Sequence, residues 1–377
     1  MQIDSAIYGE SAEGPLDQDF RRGSVGAAPN RETNAARDFS EGLYFRRARF
    51  GVEGTISRDF NYRLLLELGG AGTEGPTRIN DAWIAYTGLA PFTFQLGAFS
   101  PPSNMDDGAT PEDLPFIERA GVSELSRTLG GAGGLIATGA DYTLHLGASG
   151  TYVVTPADLG SSATPPRHGI RLRDRPEVRV DSTRLIDTGV LDAAHATVFG
   201  VEFGANWKSV YLQGEHFWFD IARRAPTALP DPDFKGFYLQ GSWLVTGESR
   251  RYNPVTGSFQ NPRPKVTFSS AGGFGAWELA ARYSRMNLNF EEGLEGTAAI
   301  PGSVRGGEQR VFTLGVNWYL HPNFKVMMNY LLVSVDRLNP AGPGNLTPFG
   351  PSPATPPPGV EIGQDLNVFA LRTQYSF

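Results

Sequence analysis

Cysteine is absent from this 377-residue chain, so neither a disulfide nor a thiolate metal site can hold it together; the absence is neutral between cytosol and cell envelope. Lysine is almost missing. Lys208, Lys235, Lys265 and Lys325 are the only ones, and the rest of the 33 basic residues are arginine, whose planar fork matches carboxylate and phosphate. No apolar run reaches the ~18 residues of a transmembrane helix. That excludes helical spans but not a membrane β-barrel, whose strands need only about 9–11 residues with alternate ones facing lipid. The opening MQIDSAIYGE has no basic n-region and no apolar h-region, so a signal peptide is expected to be absent or already removed. The net charge of −7 does not favour nucleic acid as a partner.

Catalytic and metal signatures are missing as well. His145, His168, His195, His216 and His321 are scattered, and none forms HExxH. No GxSxG occurs. The acids of NMDDGATPED lack EF-hand spacing and read as a solvated loop. GGAGG at 130–134 precedes a strand rather than a helix, so it does not cradle phosphate. No enzyme activity, metal or cofactor is expected.

What is present is glycine (46), proline (28) and a period of two almost everywhere, which suits many strands with turn-rich connections. RARFGVEG sets Ala48, Phe50 and Val52 against Arg47, Arg49 and Glu53. NYRLLLELGG sets Tyr62, Leu64, Leu66 and Leu68 against Arg63 and Glu67. VYLQGEHFW, GFYLQGSWLVTG, WELAARYS and VFTLGVNWYL repeat the pattern, with Gln213, Glu215, Gln240, Glu278, Arg282 and Asn317 on the polar side. The closing DLNVFALRTQYSF sets Phe369, Leu371, Tyr375 and Phe377 against Arg372, Gln374 and Ser376.

A soluble β-sandwich or carbohydrate-binding protein also alternates. Three features favour a barrel in lipid: strands of about ten residues or more, connections that alternate between short and long, and a terminal phenylalanine. Tight connections are read at 57–60, 206–209 and 321–323, and long ones at 9–40, 100–128, 155–166 and 337–363. The last is rich in proline and glycine and reads as an external loop. No domain boundary is evident, so residues 1–377 are read as one barrel.

The most unusual stretch is RHGIRLRDRPEVR, where Arg167, Arg171, Arg173, Arg175 and Arg179 all occupy odd positions. In an extended strand they form a ladder on one face.

Several blocks resemble the phosphate-selective porin family of the OprO/OprP type: LYFRRARFGVEG, TRINDAWIAYTG, PFTFQLGAF, LPFIERAG, RPEVR, LIDTG, GFYLQGSWLVTGESRRY, GAWELAARYS and FTLGVNWYLHPNFKVMMNYL. The resemblance runs from Gln2 to Phe377. It implies an all-β, transmembrane antiparallel barrel of about sixteen strands, with long extracellular loops, short periplasmic turns and a third loop, about 100–128, folded into the lumen. It also implies a bacterial outer-membrane location, a homotrimer, contact with outer-membrane lipid, and arginines that draw small phosphate-like anions inward. The strand reading itself gives about fourteen clear strands, and the region 166–189 would add a pair joined near Asp174–Glu177.

On this reading Arg47, Arg49, Arg171, Arg173, Arg175, Arg282 and Arg372 line an anion path, since a lipid-facing charge near the bilayer midplane costs roughly 2–4 kcal/mol. Arg119 and Arg127 are the constriction-loop residues expected to reach the pore. Glu53, Glu67, Asp81, Glu215 and Glu278 lie on the same faces, so an ion-pair lattice stands beside the transport path, and the two can coexist. The family associates phosphate selectivity with lysines, and the loop here has none: it carries Asp106, Asp107, Glu112, Asp113, Glu118 and Glu124. The functional expectation is passive diffusion of small anionic solutes, possible substrates being phosphate or polyphosphate. The alternatives are a general porin with little ion preference and an outer-membrane barrel enzyme, which would need a Ser–His pair at the lipid boundary.

Overall fold

The computed structural model describes residues 1–10, 41–68, 78–89, 92–99, 104–126, 133–138, 141–156, 168–181, 184–224, 229–254, 256–340, 359 and 361–376. Arg127, Arg167 and positions 341–358 of the Pro/Gly-rich loop lie outside them.

The wall is built from long strands, all antiparallel. In chain order they are β1 (Gln2–Glu10), β2 (Gly42–Arg47), β3 (Arg49–Ser57), β4 (Phe60–Glu67), β5 (Arg78–Leu89), β6 (Phe92–Ala98), β7 (Gly133–Thr138) and β8 (Tyr142–Val153). Short pieces β9 (Gly169–Ile170), β10 (Arg173–Asp174) and β11 (Ile186–Asp187) follow. The second half has β12 (Leu191–Trp207), β13 (Val210–Arg223), β14 (Asp233–Leu244), the small hairpin β15 (Arg251–Asn253) and β16 (Ser258–Gln260), then β17 (Ala276–Phe290), β18 (Val304–His321), β19 (Phe324–Asp336) and β20 (Gln364–Tyr375). Two short helices, α1 (Met105–Gly108) and α2 (Gly121–Ser126), belong to the segment between β6 and β7.

Hydrogen bonding runs in the order β2-β1-β20-β19-β18-β17-β14-β13-β12-β8-β7, with β3-β4-β5-β6 as a second set. The first strand pairs with the last, Gln2 opposite Gln374 through Glu10 opposite Leu366, as a barrel requires. Only Ala48 separates β2 from β3, and its amide and carbonyl bond to Glu67 Oε1 and to the Leu68 amide on the β4 side, so the two sets share one interrupted strand.

Exposure is inverted relative to a water-soluble sheet. Phe199, Leu212, Leu239, Trp243, Leu279, Leu314, Leu332 and Phe369 face outward at 41–52% exposure, while Glu278, Arg282, Asn317 and Arg372 on the alternate positions are buried at 0–2%. Such an apolar outer face suits hydrocarbon, and the charges that remain on it, such as Lys235 and Arg285, lie toward the loop ends of β14 and β17. Trp207, Trp243, Trp277 and Trp318 lie at the turn ends of β12, β14, β17 and β18, forming part of an aromatic belt. Trp277 stacks on Trp318 at 5.1 Å, and both indoles donate to the Phe274 carbonyl.

The interior has two tiers. Toward the turns, the inward residues are polar: Gln2, Asp4, Glu202, Gln213, Glu215, Gln240, Glu278, Asn317, Lys325, Asn329, Arg372 and Gln374. Toward the loops the same strands turn apolar, with Ala6, Val198, Phe217, Phe219, Met286, Leu331, Val333 and Val368. This upper tier packs against Ile117, Ala120, Val122 and Leu125 of the β6–β7 segment and Ile170, Leu172, Leu185 and Ile186 of the β8–β12 segment. The folded-in third loop expected from the sequence is thus present in residues 104–126.

Two expectations are corrected. The region 166–189 supplies no pair of wall strands among the described residues; β10 and β11 form a two-residue ribbon, Arg173 opposite Asp187, packed inside. Connections at the turn end are also not all short. Residues 245–275 leave β14 there, enter the interior as β15–β16, and return to β17.

Candidate functional site: an arginine–carboxylate centre beside a turn-end cavity

The inserted segment is held by wall side chains bonding to its backbone. Glu202 and Glu215 accept from the Met105 and Asp106 amides, both at 2.9 Å. Lys325 donates to the Glu112 and Leu114 carbonyls and to Asn261. Asn317 donates to the Pro115 carbonyl, Asn329 accepts from the Ile117 amide, and Arg282 donates to the Glu118 carbonyl. An irregular buried backbone needs this, because its unpaired groups would each cost about 1–3 kcal/mol.

These bonds aim the Glu118 side chain at a group of arginines. Arg46 Nε lies 2.6 Å from Oε1 and Arg372 Nη2 2.8 Å from it; Arg179 Nε and Arg47 Nη2 lie 3.5 and 3.8 Å from Oε2. Arg372 also forms a fork with Asp4, both contacts at 2.6 Å. Burial would push the Glu118 carboxyl up, but Arg46, Arg47, Arg372 and Arg179 together outweigh it and hold the group well below the usual carboxylate range. One turn away, Glu177 accepts from the Gly121 amide, Ser284 and Arg282. The Arg282 guanidinium lies 4.5 Å from the centre of the Phe116 ring, within cation–π range.

A second buried pair, Arg250 with Glu278 at 2.7 Å, ties the 245–275 connection to β17, and Asn317 and Tyr319 donate to the same carboxylate. His145 bridges Glu202 at 2.9 Å and the Tyr252 hydroxyl at 2.6 Å.

Below this centre, at the turn end, is a cavity of about 530 Å³. Arg47, Arg49, Arg63 and Arg119 line it, with Glu53, Asp81, Asp107 and Glu112. Arg49 pairs with Glu67 at 2.6 Å, and Arg63 lies 3.4 Å from Asp81 and 3.6 Å from Glu53. Arg119 donates to the Asp106 and Ala109 carbonyls and lies 3.9 Å from Asp107.

The sequence model for phosphate-selective porin O and P matches residues 17–133 and 126–377. The chain belongs to that family. This porin is 23% identical to Porin O of Pseudomonas aeruginosa over 353 residues, covering 79% of this chain and 78% of that protein. It is 27% identical over 348 residues to an uncharacterised protein of Caulobacter vibrioides, covering 82% of this chain and 66% of that one; the chain spans just under two thirds of that relative. Among solved structures, an anion-selective porin from Comamonas acidovorans aligns over 100% of this chain and 97% of its own, at 10% identity and a TM-score of 0.44. Family membership makes the porin a bacterial outer-membrane β-barrel.

Of the residues singled out in the sequence, Arg47 and Arg372 meet at Glu118, Arg282 reaches the backbone beside it, and Arg49 and Arg119 line the cavity with Arg47. Arg171, Arg173 and Arg175 are not brought there. The five-arginine ladder does not form, because the segment is not one extended strand: it turns at Pro176–Glu177, where Glu177 has φ 58°. Arg171 forks onto Asp187 at 2.8 Å, Arg173 is exposed, Arg175 is buried, and Arg179 reaches Glu118 and Glu124. Arg127 lies outside the described residues.

Arg46 was missed. Its parity places it with Ala48 and Phe50 on the lipid side, but the register of β1 on β2 jumps from Gln2–Arg47 to Ile3–Phe45, leaving Arg46 as the extra residue of a bulge. A bulge re-aims side chains, so Arg46 and Arg47 both point inward. Arg250 was missed because it lies between strands, where a period of two assigns no face; the charged run ESRR in GFYLQGSWLVTGESRRY was the available signal.

Proposed function

We propose that this porin is a single-barrel, homotrimeric outer-membrane channel for passive diffusion of small anionic solutes, phosphate among them, and not an enzyme. One observation carries the reading: buried and half-buried guanidinium groups gather in the interior around residues of the inserted segment, Arg372 and Arg47 at Glu118 and Arg47, Arg49 and Arg119 at the turn-end cavity, while the exposed Arg171 and Arg173 lie apart on the β9–β10 stretch. Guanidinium groups along a narrow path raise the local anion concentration, and pairing each with a carboxylate keeps any one contact weak enough for release. The homotrimer follows from family resemblance, as does the role of 104–126 as constriction.

A second reading, a general porin with little ion preference, is favoured by the acids that share the cavity: Glu53, Asp81, Asp107 and Glu112 offset its four arginines. Phosphate titration of single-channel chloride current separates the two. The anion-path reading expects block at millimolar phosphate, weakened in Arg47→Gln and Arg119→Gln; a current indifferent to phosphate favours the general porin.

A further inference from the structure

The apolar outer face of the second-half wall stops at one level near the loops. On β17, Leu279, Ala281 and Tyr283 point outward in turn, and the next outward residue is Arg285. Arg285 lies about 27 Å along the strand from Trp277, at about 3.4 Å per residue, and about 21 Å higher at a tilt near 40°. The apolar band of an outer-membrane barrel is about 25 Å tall, so Arg285 stands at its far edge, where a lipid-facing cation is tolerated.

Register carries this level across neighbouring strands. Arg285 faces Phe237 on β14 and Arg310 on β18, and Arg310 faces Ser334 on β19. The next outward row toward the loops reads Lys235, Asn287, Glu308 and Asp336. Aromatic rings border both rows. Trp218 lies opposite Lys235, and Phe237 meets Tyr283 at 5.9 Å. Partly exposed rings beside cations mark a headgroup level at the loop end, as the indoles do at the turn end.

The carboxylates of this surface do not use up its cations. Arg285 forks onto Glu308 with Nε at 2.9 Å and Nη2 at 2.7 Å, and Arg310 pairs with Asp336. Both guanidinium groups keep Nη1 free of hydrogen bonds to the described residues, and their side chains are 47% and 40% exposed. Lys235 is exposed and makes no hydrogen bond or ion pair among the described residues. Arg285 and Arg310 also stand directly opposite each other, a repulsive pairing on a bare sheet. Glu308 relieves part of it, at 3.7 Å from Arg310 Nε. A phosphate, with three acceptor oxygens and about two charges, relieves the rest.

The occupant is amphiphilic, because the site is continuous with the lipid-facing wall below and opens to the headgroup layer above. The three cations span two strand spacings, about 10 Å, which exceeds a single phosphate. We propose that Lys235, Arg285 and Arg310 form an external binding site for a lipid headgroup carrying two phosphates, its acyl chains lying on the wall below. The loops mark the extracellular end of such a barrel, so the lipid belongs to the outer leaflet. The site needs only the outer-membrane location and is independent of what the barrel conducts.

The test titrates the purified full chain, in a neutral detergent, with diphosphoryl lipid A, and counts retained lipid by native mass spectrometry. Wild type is expected to retain it in preference to the monophosphoryl form. Each basic residue at an anionic lipid surface contributes roughly fivefold, so Lys235→Gln should weaken binding about fivefold and the triple change Lys235→Gln, Arg285→Gln, Arg310→Gln on the order of a hundredfold. Lys208→Gln, at the turn end, should leave binding unchanged. Equal binding by wild type and the triple variant would overturn the proposal, as would equal retention of the two lipids by wild type. A triple variant that changes oligomeric state with its lipid binding intact would mean that this face joins copies of the chain, and would overturn it too. Lys235 has no partner to strand, so Lys235→Gln alone decides if the arginine changes prevent folding: undiminished binding overturns the site.

Discussion

The Asp4–Arg372 pair closes the barrel seam between β1 and β20 and borders the Glu118 centre, so its removal has a calculable cost. Asp4 and Arg372 sit opposite one another in register, and both side chains are within 2% of full burial. For charge centres about 4 Å apart at an effective dielectric near 20, the attraction is about 4 kcal/mol. Desolvation of both groups cancels much of it, so the intact pair adds little, but removing one partner strands the other at a cost of about 3–5 kcal/mol. The two single changes should nevertheless differ. Arg372→Gln strips Asp4 of its fork and also takes a donor from Glu118 and from the Ile117 carbonyl. Asp4→Asn leaves Arg372 with Glu118. We expect losses of about 3–5 kcal/mol for Arg372→Gln and about 2–3 kcal/mol for Asp4→Asn. The double variant should lose less than their sum by about 1–3 kcal/mol. Urea unfolding in detergent micelles, followed by tryptophan fluorescence, measures all three. Single losses that add within about 0.5 kcal/mol would refute a shared pair, and an Asp4→Asn cost above that of Arg372→Gln would refute the role given to Glu118.

Two further outcomes follow from other parts of the interior. Burial, then the neighbouring Glu124, pushes the Asp174 carboxyl up to about 8. Its folded pKa lies above the unfolded value, so the associated stability is complete at low pH and is lost as pH rises through about 8. Protease nicking of the β10–β11 segment should therefore increase between about pH 5 and about pH 8 and level off above that, and Asp174→Asn should abolish the increase; a pH-independent rate in wild type over that range would contradict this. At the outer surface, tryptophan emission should be quenched most by lipids brominated near the headgroup, because Trp207, Trp243, Trp277 and Trp318 share the turn-end level; strongest quenching by mid-chain bromine would put the belt at the wrong depth.

Apart from Arg46, the outer face was legible in the sequence, because a period of two records which residues meet lipid: Leu212, Leu239, Leu279, Leu314 and Phe369 fall on the apolar side of the alternation and face outward. The inner face was legible only in its lower tier. In HFWFDI the alternation stops, and Phe217 and Phe219 are apolar on the inward side while Trp218 is apolar on the outward side. A strand buried on both faces reads that way, and what Phe217 and Phe219 pack on comes from inserted segments distant in the chain. The candidate centre was half legible. Arg47, Arg282 and Arg372 followed from parity, whereas Arg46 depends on a bulge and Glu118 depends on how a loop folds back, neither of which periodicity encodes. The ladder of arginines failed for the converse reason: odd spacing predicts one face only if the segment is a strand, and Pro176 and Glu177 end that.

The central claim is that the interior arginines set the sign of the ions this porin passes. The reversal potential of the purified protein in a planar bilayer under a KCl gradient tests it most directly. The account predicts a potential displaced toward the chloride equilibrium value, and smaller in Arg47→Gln. A potential near zero, or displaced toward potassium, would mean that the acids of the inserted segment and cavity prevail and would contradict it.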